Sequence, residues 1–296
     1  MRKKELSGVT AMTITPFEAN HELDEEGLRE HVRFLIDSGI SGIAPCGDTG
    51  ESAFLTFEER KRVFSIVADE VNQKIAFVPN AIDLWQDRAV QLTKYAKDLG
   101  ADAVMVEMVA YLPANERQIY DFHAAHARVD VPIALHNSPP VTHVDLDART
   151  VARLAKDFAN IAYIKEASGL LQRVPDIIRL SEGNVKVLIG ADSLAYHGMM
   201  LGAVGWASAY ANIMPKESVE LYRLVLQEGD LERAERLYRR VLPLLDIWQY
   251  NARMFKFLLD ESGRRGGPVR RPWGEPLSDS EKDEIRKAKK KAGISL

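Results

Sequence analysis

Cysteine is nearly absent: Cys46 is alone in 296 residues. No intramolecular disulfide can form, so the fold must rest on its core, and a reducing, cytoplasmic setting is the expectation. Nowhere do eighteen apolar residues run together, and the charged start Met1-Arg-Lys-Lys-Glu-Leu6 leads into no apolar stretch of signal-peptide length. Neither a membrane span nor a secretory leader is expected. Charge excess is small, with 39 Lys+Arg against 43 Asp+Glu leaving −4, which gives no long-range pull toward nucleic acid or an anionic membrane. Internal repeats and low-complexity tracts are missing too. What remains is an ordinary globular composition, 46% hydrophobic and 28% charged, long enough to bury a large core.

Eight short apolar runs, rich in β-branched residues, stand at 9–14, 40–45, 75–78, 103–106, 132–135, 161–164, 185–189 and 203–208. Amphipathic segments follow them at 24–38, 57–72, 85–99, 115–129, 145–157, 170–180 and 193–201. Asp24 and Thr56 can cap the helices they precede, and Glu58, Glu59 and Glu116 favour the positive end of a helix dipole. Strand alternating with helix at this spacing requires parallel pairing through right-handed crossovers, and eight such units close most simply into a (β/α)8 TIM barrel. An open doubly wound sheet fits less well, because no G-x-G-x-x-G follows the first strand. Beyond Pro215 the pattern is helical alone, at 218–226, 231–245, 248–259 and 278–292, broken by the glycine-rich stretch 263–268. The expected division is a barrel at 1–225 with a C-terminal helical extension at 226–296. Arg264, Arg265, Arg270 and Arg271 read as a solvated loop.

Reactive groups in such a barrel belong at the C-terminal strand ends. Lys165 closes an apolar strand there, and a neutral amine is what attacks a ketone to give a Schiff base. Moving a lysine from ~10.4 to ~7 takes ~5 kcal/mol of selective destabilisation of the ammonium, which a desolvated barrel mouth can supply. Pairing with Glu166 or another acid is the plainer role. Gly47-Asp-Thr-Gly-Glu51 reads either as a tight turn, with Gly47 and Gly50 at positive φ, or as a cradle whose N–H groups and Thr49 hydroxyl hold a carboxylate. His136, at the fifth strand end, should lie beside Lys165 and can exchange a proton near neutral pH, with Asp48 orienting it. A rim histidine is its plainer reading. The other histidines show no H-E-x-x-H spacing, and His123 with His126 shares a helix face without a third ligand, so no metal is expected.

These motifs resemble those of the dihydrodipicolinate synthase / N-acetylneuraminate lyase family. The carriers are Thr15-Pro16-Phe17, Gly47-Asp-Thr-Gly-Glu51, Ile164-Lys165-Glu166-Ala167-Ser168-Gly169 and Gly190-Ala-Asp192, and the likeness spans roughly residues 6–293. The resemblance implies a barrel assembled as a homotetramer, a dimer of dimers. It also implies an imine between Lys165 and pyruvate or another 2-oxo acid, with Thr49 and its neighbouring N–H groups gripping the carboxylate. Three departures mark the chain. His136-Asn137-Ser138-Pro139 replaces the family's Tyr-Asn-x-Pro, and Asp48 replaces the threonine that bonds that tyrosine, so an Asp48–His136 dyad is expected in place of the usual relay. Val141 stands where synthases carry an arginine for the second substrate, and Ala110, beside Tyr111, where they carry a relay tyrosine lent across the dimer. Aspartate semialdehyde is therefore disfavoured as acceptor.

The expected activity is that of a cofactor-independent class I lyase. Its catalytic residues would be Lys165, His136 and Asp48, and its substrate contacts Thr49, Gly47, Gly190, Ser208, Asn137 and Trp206, the last narrowing the pocket or merely packing. A pyruvate-type aldolase comes first, and a dehydratase or deaminase of a sugar-acid or hydroxyproline-type intermediate second. A barrel that binds 2-oxo acids without turnover is the third reading.

Overall fold

The computed structural model describes residues 3–296. Its strands pair in parallel throughout: β1 (Gly8–Met12), β2 (Gly42–Ala44), β3 (Ala76–Phe77), β4 (Asn80–Ala81), β5 (Val104–Val106), β6 (Ile133–Asn137), β7 (Ile161–Glu166), β8 (Lys186–Ile189) and β9 (Gly205–Ser208). β3 and β4 are halves of one barrel position, parted only by Val78 and Pro79. Pro79 has no N–H for the ladder, yet its carbonyl accepts from Met105 N at 3.0 Å, while Val78 N and Asn80 N donate to Ile43 O and Pro45 O at 2.9 and 3.0 Å. Hydrogen bonding runs β3-β2-β1-β9-β8-β7-β6-β5-β4 and closes through that joint. The result is the expected (β/α)8 barrel, its third position split by proline.

Alternation along each strand sorts side chains into two layers. Met12, Ala44, Ala76, Met105, Ala134, Tyr163, Leu188 and Ala207 fill the barrel. Their neighbours, among them Ile43, Val104, Leu135, Ile164, Val187 and Trp206, pack outward against the helices. Parity therefore decides which strand-end side chains can face the mouth.

The surrounding helices are α1 (Glu25–Asp37), α2 (Phe57–Val71), α3 (Gln86–Asp98), α4 (Glu116–Ala127), α5 (Pro139–Thr142), α6 (Ala148–Asp157), α7 (Arg173–Leu180), α8 (Ala195–Met200) and α9 (Pro215–Tyr222). Asp24 caps α1 through Gly27 N, and Thr56 with Glu59 forms a capping box on α2, as their positions in the sequence suggest. The one-turn α5 has no apolar period to announce it; two prolines start it. His123 and His126 on α4 are buried and spend their Nδ1 atoms on Ile119 O and the Thr93 hydroxyl, each at 2.7 Å, so they are structural.

A π-helical turn, Arg223–Glu228, extends α9 before α10 (Leu231–Leu245), α11 (Asn251–Glu261) and α12 (Asp279–Ala292). α11 is tied to the second barrel loop by a buried ion pair, Lys256 Nζ to Glu51 Oε1 at 2.5 Å. Lys256 also donates to Pro268 O at 2.8 Å and lies 4.3 Å from the Phe17 ring centroid. The second Glu51 oxygen accepts from Arg270 N at 2.8 Å. Arg270 is not the solvated arginine its loop suggests: its guanidinium pairs with Glu59 at 2.6 Å, donates to Phe54 O at 2.8 Å and covers Phe17 at 4.2 Å. Carboxylate and carbonyl acceptors folded against it outweigh its hydration. Among the described residues, no helix is long and apolar enough to cross a membrane.

Candidate active site

Lys165 and His136 are Cα partners in the β6–β7 ladder. They share the parity of Tyr163 and Ala134, so both enter the barrel interior. Lys165 is 7% exposed. Room for it comes from Gly190, where an added Cβ would lie 2.7 Å from Lys165 Cγ and 2.8 Å from its Cε. Gly190 thus earns its place by yielding space to the amine's stem.

His136 meets a different acid from the expected one. Its Nδ1 lies 3.1 Å from Oε1 of Glu107, one residue past β5, and both side chains are fully buried. Asp48, half-buried on the loop after β2, joins them: one donor atom from each of Asp48, Glu107 and His136 lies within 4.8 Å of the other two. The expected Asp48–His136 dyad is therefore a triad with Glu107 nearest the ring, because the inward parity of Met105 carries on to position 107. Glu107 is the functional candidate the motif reading missed. Its only trace in the sequence is a carboxylate ending an apolar strand, the same signal that singles out Lys165.

The cluster is electrostatically unsettled. Neither His136 nitrogen has a hydrogen-bond partner, and the fold gives the Glu107 oxygens no donor other than a proton shared with the Asp48 carboxyl. Burial pushes the Glu107 carboxyl up to about 7 against the pull of Lys165, and pushes Asp48 up to about 6 with help from the Glu107 charge. Burial, reinforced by the Lys165 charge, holds the His136 imidazole well below its ordinary range. A third acid, Asp192, is raised to about 6 by burial, opposed chiefly by its bond from Ser208.

Ser208 and Trp206 lie on the outward parity, opposite Ala207. Trp206 is fully buried in the helix-facing layer and gives its Nε1–H to Asp192 at 3.0 Å; the Ser208 hydroxyl gives its proton to the same oxygen at 2.9 Å. Neither faces the barrel interior, which favours the packing reading of Trp206 over a stacking wall. Asn137 is likewise outward: it donates to Glu166 at 3.0 Å and accepts from Leu146 N at 2.8 Å. Glu166, bonded to Asn137 and to Ser168 N, is not the partner of Lys165 that the plainer reading supposed.

In the 47–51 loop the positive φ values belong to Cys46 (58°) and Glu51 (57°), not to the glycines. Glycine is needed there for space. A Cβ at Gly50 would stand 2.8 Å from the backbone Thr13 O, which cannot yield, whereas one at Gly47 would meet only the flexible tip of Met12, 2.9 Å from its Cε. The N–H groups of Gly50, Glu51 and Ser52 bond to carbonyls of the loop itself. Thr49 is buried beside Asp48. A cavity of about 460 Å³ opens from Asp48 and Val141 toward Trp248, Arg253 and Trp273 of the extension.

A barrel lysine set against a histidine and acids at the strand ends defines the class of Schiff-base-forming lyases. The family model described as the dihydrodipicolinate synthetase family matches residues 5–292. A "4-hydroxy-tetrahydrodipicolinate synthase" of Methanothrix thermoacetophila is 39% identical over 283 residues, covering 94% of each chain. One of Methanocaldococcus jannaschii is 36% identical over 290 residues, 97% of this chain and 99% of the relative. Among solved structures, the chloride-inhibited dihydrodipicolinate synthase from Acinetobacter baumannii complexed with pyruvate superimposes with a TM-score of 0.91 at 32% identity, covering 98% of this chain and 99% of that one. The chain belongs to the dihydrodipicolinate synthetase family and is a class I, aldolase-type lyase of that pyruvate-dependent group.

Proposed function

We propose that Lys165 is the imine-forming residue and that the protein is a pyruvate-type aldolase. The carrying observation is the inward, paired placement of Lys165 and His136 on adjacent strands. The Lys165 amine adds to the C2 ketone of the 2-oxo acid, and the carbinolamine loses water to give a protonated imine. A C3 proton then passes to a base, the electron pair moves into the enamine, and C3 attacks an aldehyde; cleavage is the reverse. His136 moves the protons, with Glu107 orienting the ring and Asp48 completing the group. Thr49 holds the substrate carboxylate, and Gly47 and Gly190 leave it room.

The relatives' name supports a second reading, condensation of pyruvate with aspartate semialdehyde. Against it stand Val141, on the cavity wall where synthases place an arginine, and Ala110 in the position of their relay tyrosine. Dehydration or deamination through the same imine uses the same groups. Assembly as a homotetramer is supported by Leu84, Trp85, Tyr111 and Leu112, exposed on the loops after the adjacent strands β4 and β5.

Borohydride reduction in the presence of pyruvate tests the central step. A pyruvate-sized adduct mapped to Lys165 is expected, and labelling that persists in Lys165→Ala refutes the assignment. Repeating the trap with a panel of 2-oxo acids ranks the substrates.

A further inference from the structure

We propose that Asp48, Glu107 and His136 form a site for one divalent transition cation, and that its occupancy arrests proton transfer while sparing the lysine. Three donor atoms, two carboxylate oxygens and one imidazole nitrogen, converge from the loop after β2, the end of β5 and strand β6 within 4.8 Å of one another. Ligands 2.0–2.2 Å from an ion stand roughly 3–4 Å apart. The His136 Nδ1–Glu107 Oε1 separation of 3.1 Å fits that spacing.

The second observation is what those atoms fail to do. At 3.1 Å the ring nitrogen and the carboxylate form no aligned hydrogen bond, both His136 nitrogens are without partners in a fully buried setting, and Glu107 has only the neighbouring Asp48 carboxyl to bond to. Buried polar atoms ordinarily find partners. Atoms held this close without a bond to each other keep lone pairs free for a third group, which a metal ion can be.

Charge bookkeeping agrees. Asp48, Glu107 and Asp192 bring three carboxylates to the space around Lys165, whose single positive charge acts on all three. One divalent cation, binding as the carboxyl protons leave, offsets two of those three carboxylates. The donor set selects the class: imidazole favours zinc, cobalt and similar ions over calcium, two carboxylates admit manganese, and three protein ligands leave positions open for water. Such an ion takes the His136 lone pair and the Glu107 carboxylate that steers the ring, so proton transfer stops. Lys165 is outside the ligand set.

The inhibition rests on the imine reading above; the binding does not. The test is equilibrium dialysis of the full chain against zinc, with manganese and its electron paramagnetic resonance as the second probe, on wild type, Glu107→Gln and Asp48→Asn. One ion per chain is expected, with affinity at least about tenfold weaker in each variant. Exchange of pyruvate methyl protons in deuterated water should fall in proportion to bound zinc and return on chelation, while borohydride trapping on Lys165 persists. Zinc bound equally by wild type and both variants, or not at all at micromolar concentration, overturns the site. Binding that leaves exchange untouched overturns the arrest. If trapping fails in metal-free protein, the imine assignment falls, and the dialysis result still decides the site.

Discussion

Two buried ionic groups stand a few residues apart in the chain and differ in kind. At the joint between barrel and extension, Glu51 and Lys256 are both buried and paired at 2.5 Å, with Arg270 N and Pro268 O engaging the remaining oxygen and ammonium. At the mouth, Glu107 and His136 are as fully enclosed, but no N–H or O–H of the surrounding fold donates to either Glu107 oxygen, and Asp48 beside them is half-buried. The joint spends its charges on holding one arrangement, whereas the mouth keeps its charges available for a reacting molecule. Burial alone therefore does not distinguish structure from chemistry; the state of the partners does.

The sharpest way to break the contrast is Lys165→Ala, which should abolish borohydride trapping and turnover while leaving the melting temperature within a few degrees. Next, His136→Ala should slow pyruvate proton exchange by about 10²–10⁴-fold, with less than a fivefold change in the pyruvate concentration needed for half-maximal trapping. His136→Tyr should restore little, since Glu107 offers a phenol a charged neighbour in place of a hydroxyl. At the joint the signature inverts. Lys256→Ala leaves Glu51 buried without its cation and should cost about 3–5 kcal/mol by urea unfolding. The surviving folded protein should trap pyruvate normally. A Lys256→Ala protein of unchanged stability, or a His136→Ala protein that is mainly unstable, would erase the distinction.

The smallest effect concerns acid. Arg270 holds the Glu59 carboxyl down to about 2, below the ordinary 4.5 of a glutamate. A depressed folded-state value adds stability above about pH 4.5 that is lost as pH falls toward 2. Arg270→Gln should therefore lower the melting temperature at pH 7 slightly and flatten its decline between pH 5 and 3. Thermal melts across that window check the sign.

Much of this was legible in the residues. Strand and helix periods gave the barrel, because eight apolar runs separated by amphipathic stretches leave few alternatives, and Asp24 and Thr56 announced their caps. Lys165 and His136 were visible as polar ends of apolar strands. Which strand-end residues line the interior depends on face as well as on position. Asn137, Trp206 and Ser208 are one residue out of phase with the interior, which a period-two count along β6 and β9 reveals. Glu107 shares that interior phase, but no motif spacing joins it to Asp48 or His136, which closure of the barrel alone brings near. In the 47–51 loop glycine supports two explanations, positive φ or lack of room, and only coordinates separate them. Arg270 looked solvated because its acceptors, Glu59 and Phe54, lie on a distant part of the chain.

The ladder that makes His136 the neighbour of Lys165 is backbone, not side chain. Loops and acceptor pockets around the rim can be rebuilt without altering the interval between the proposed nucleophile and the proposed proton carrier. A scaffold of that kind lets side chains at the mouth change while the spacing of the two strand-end positions stays fixed, and engineering of new acceptors should begin at the cavity wall facing the extension.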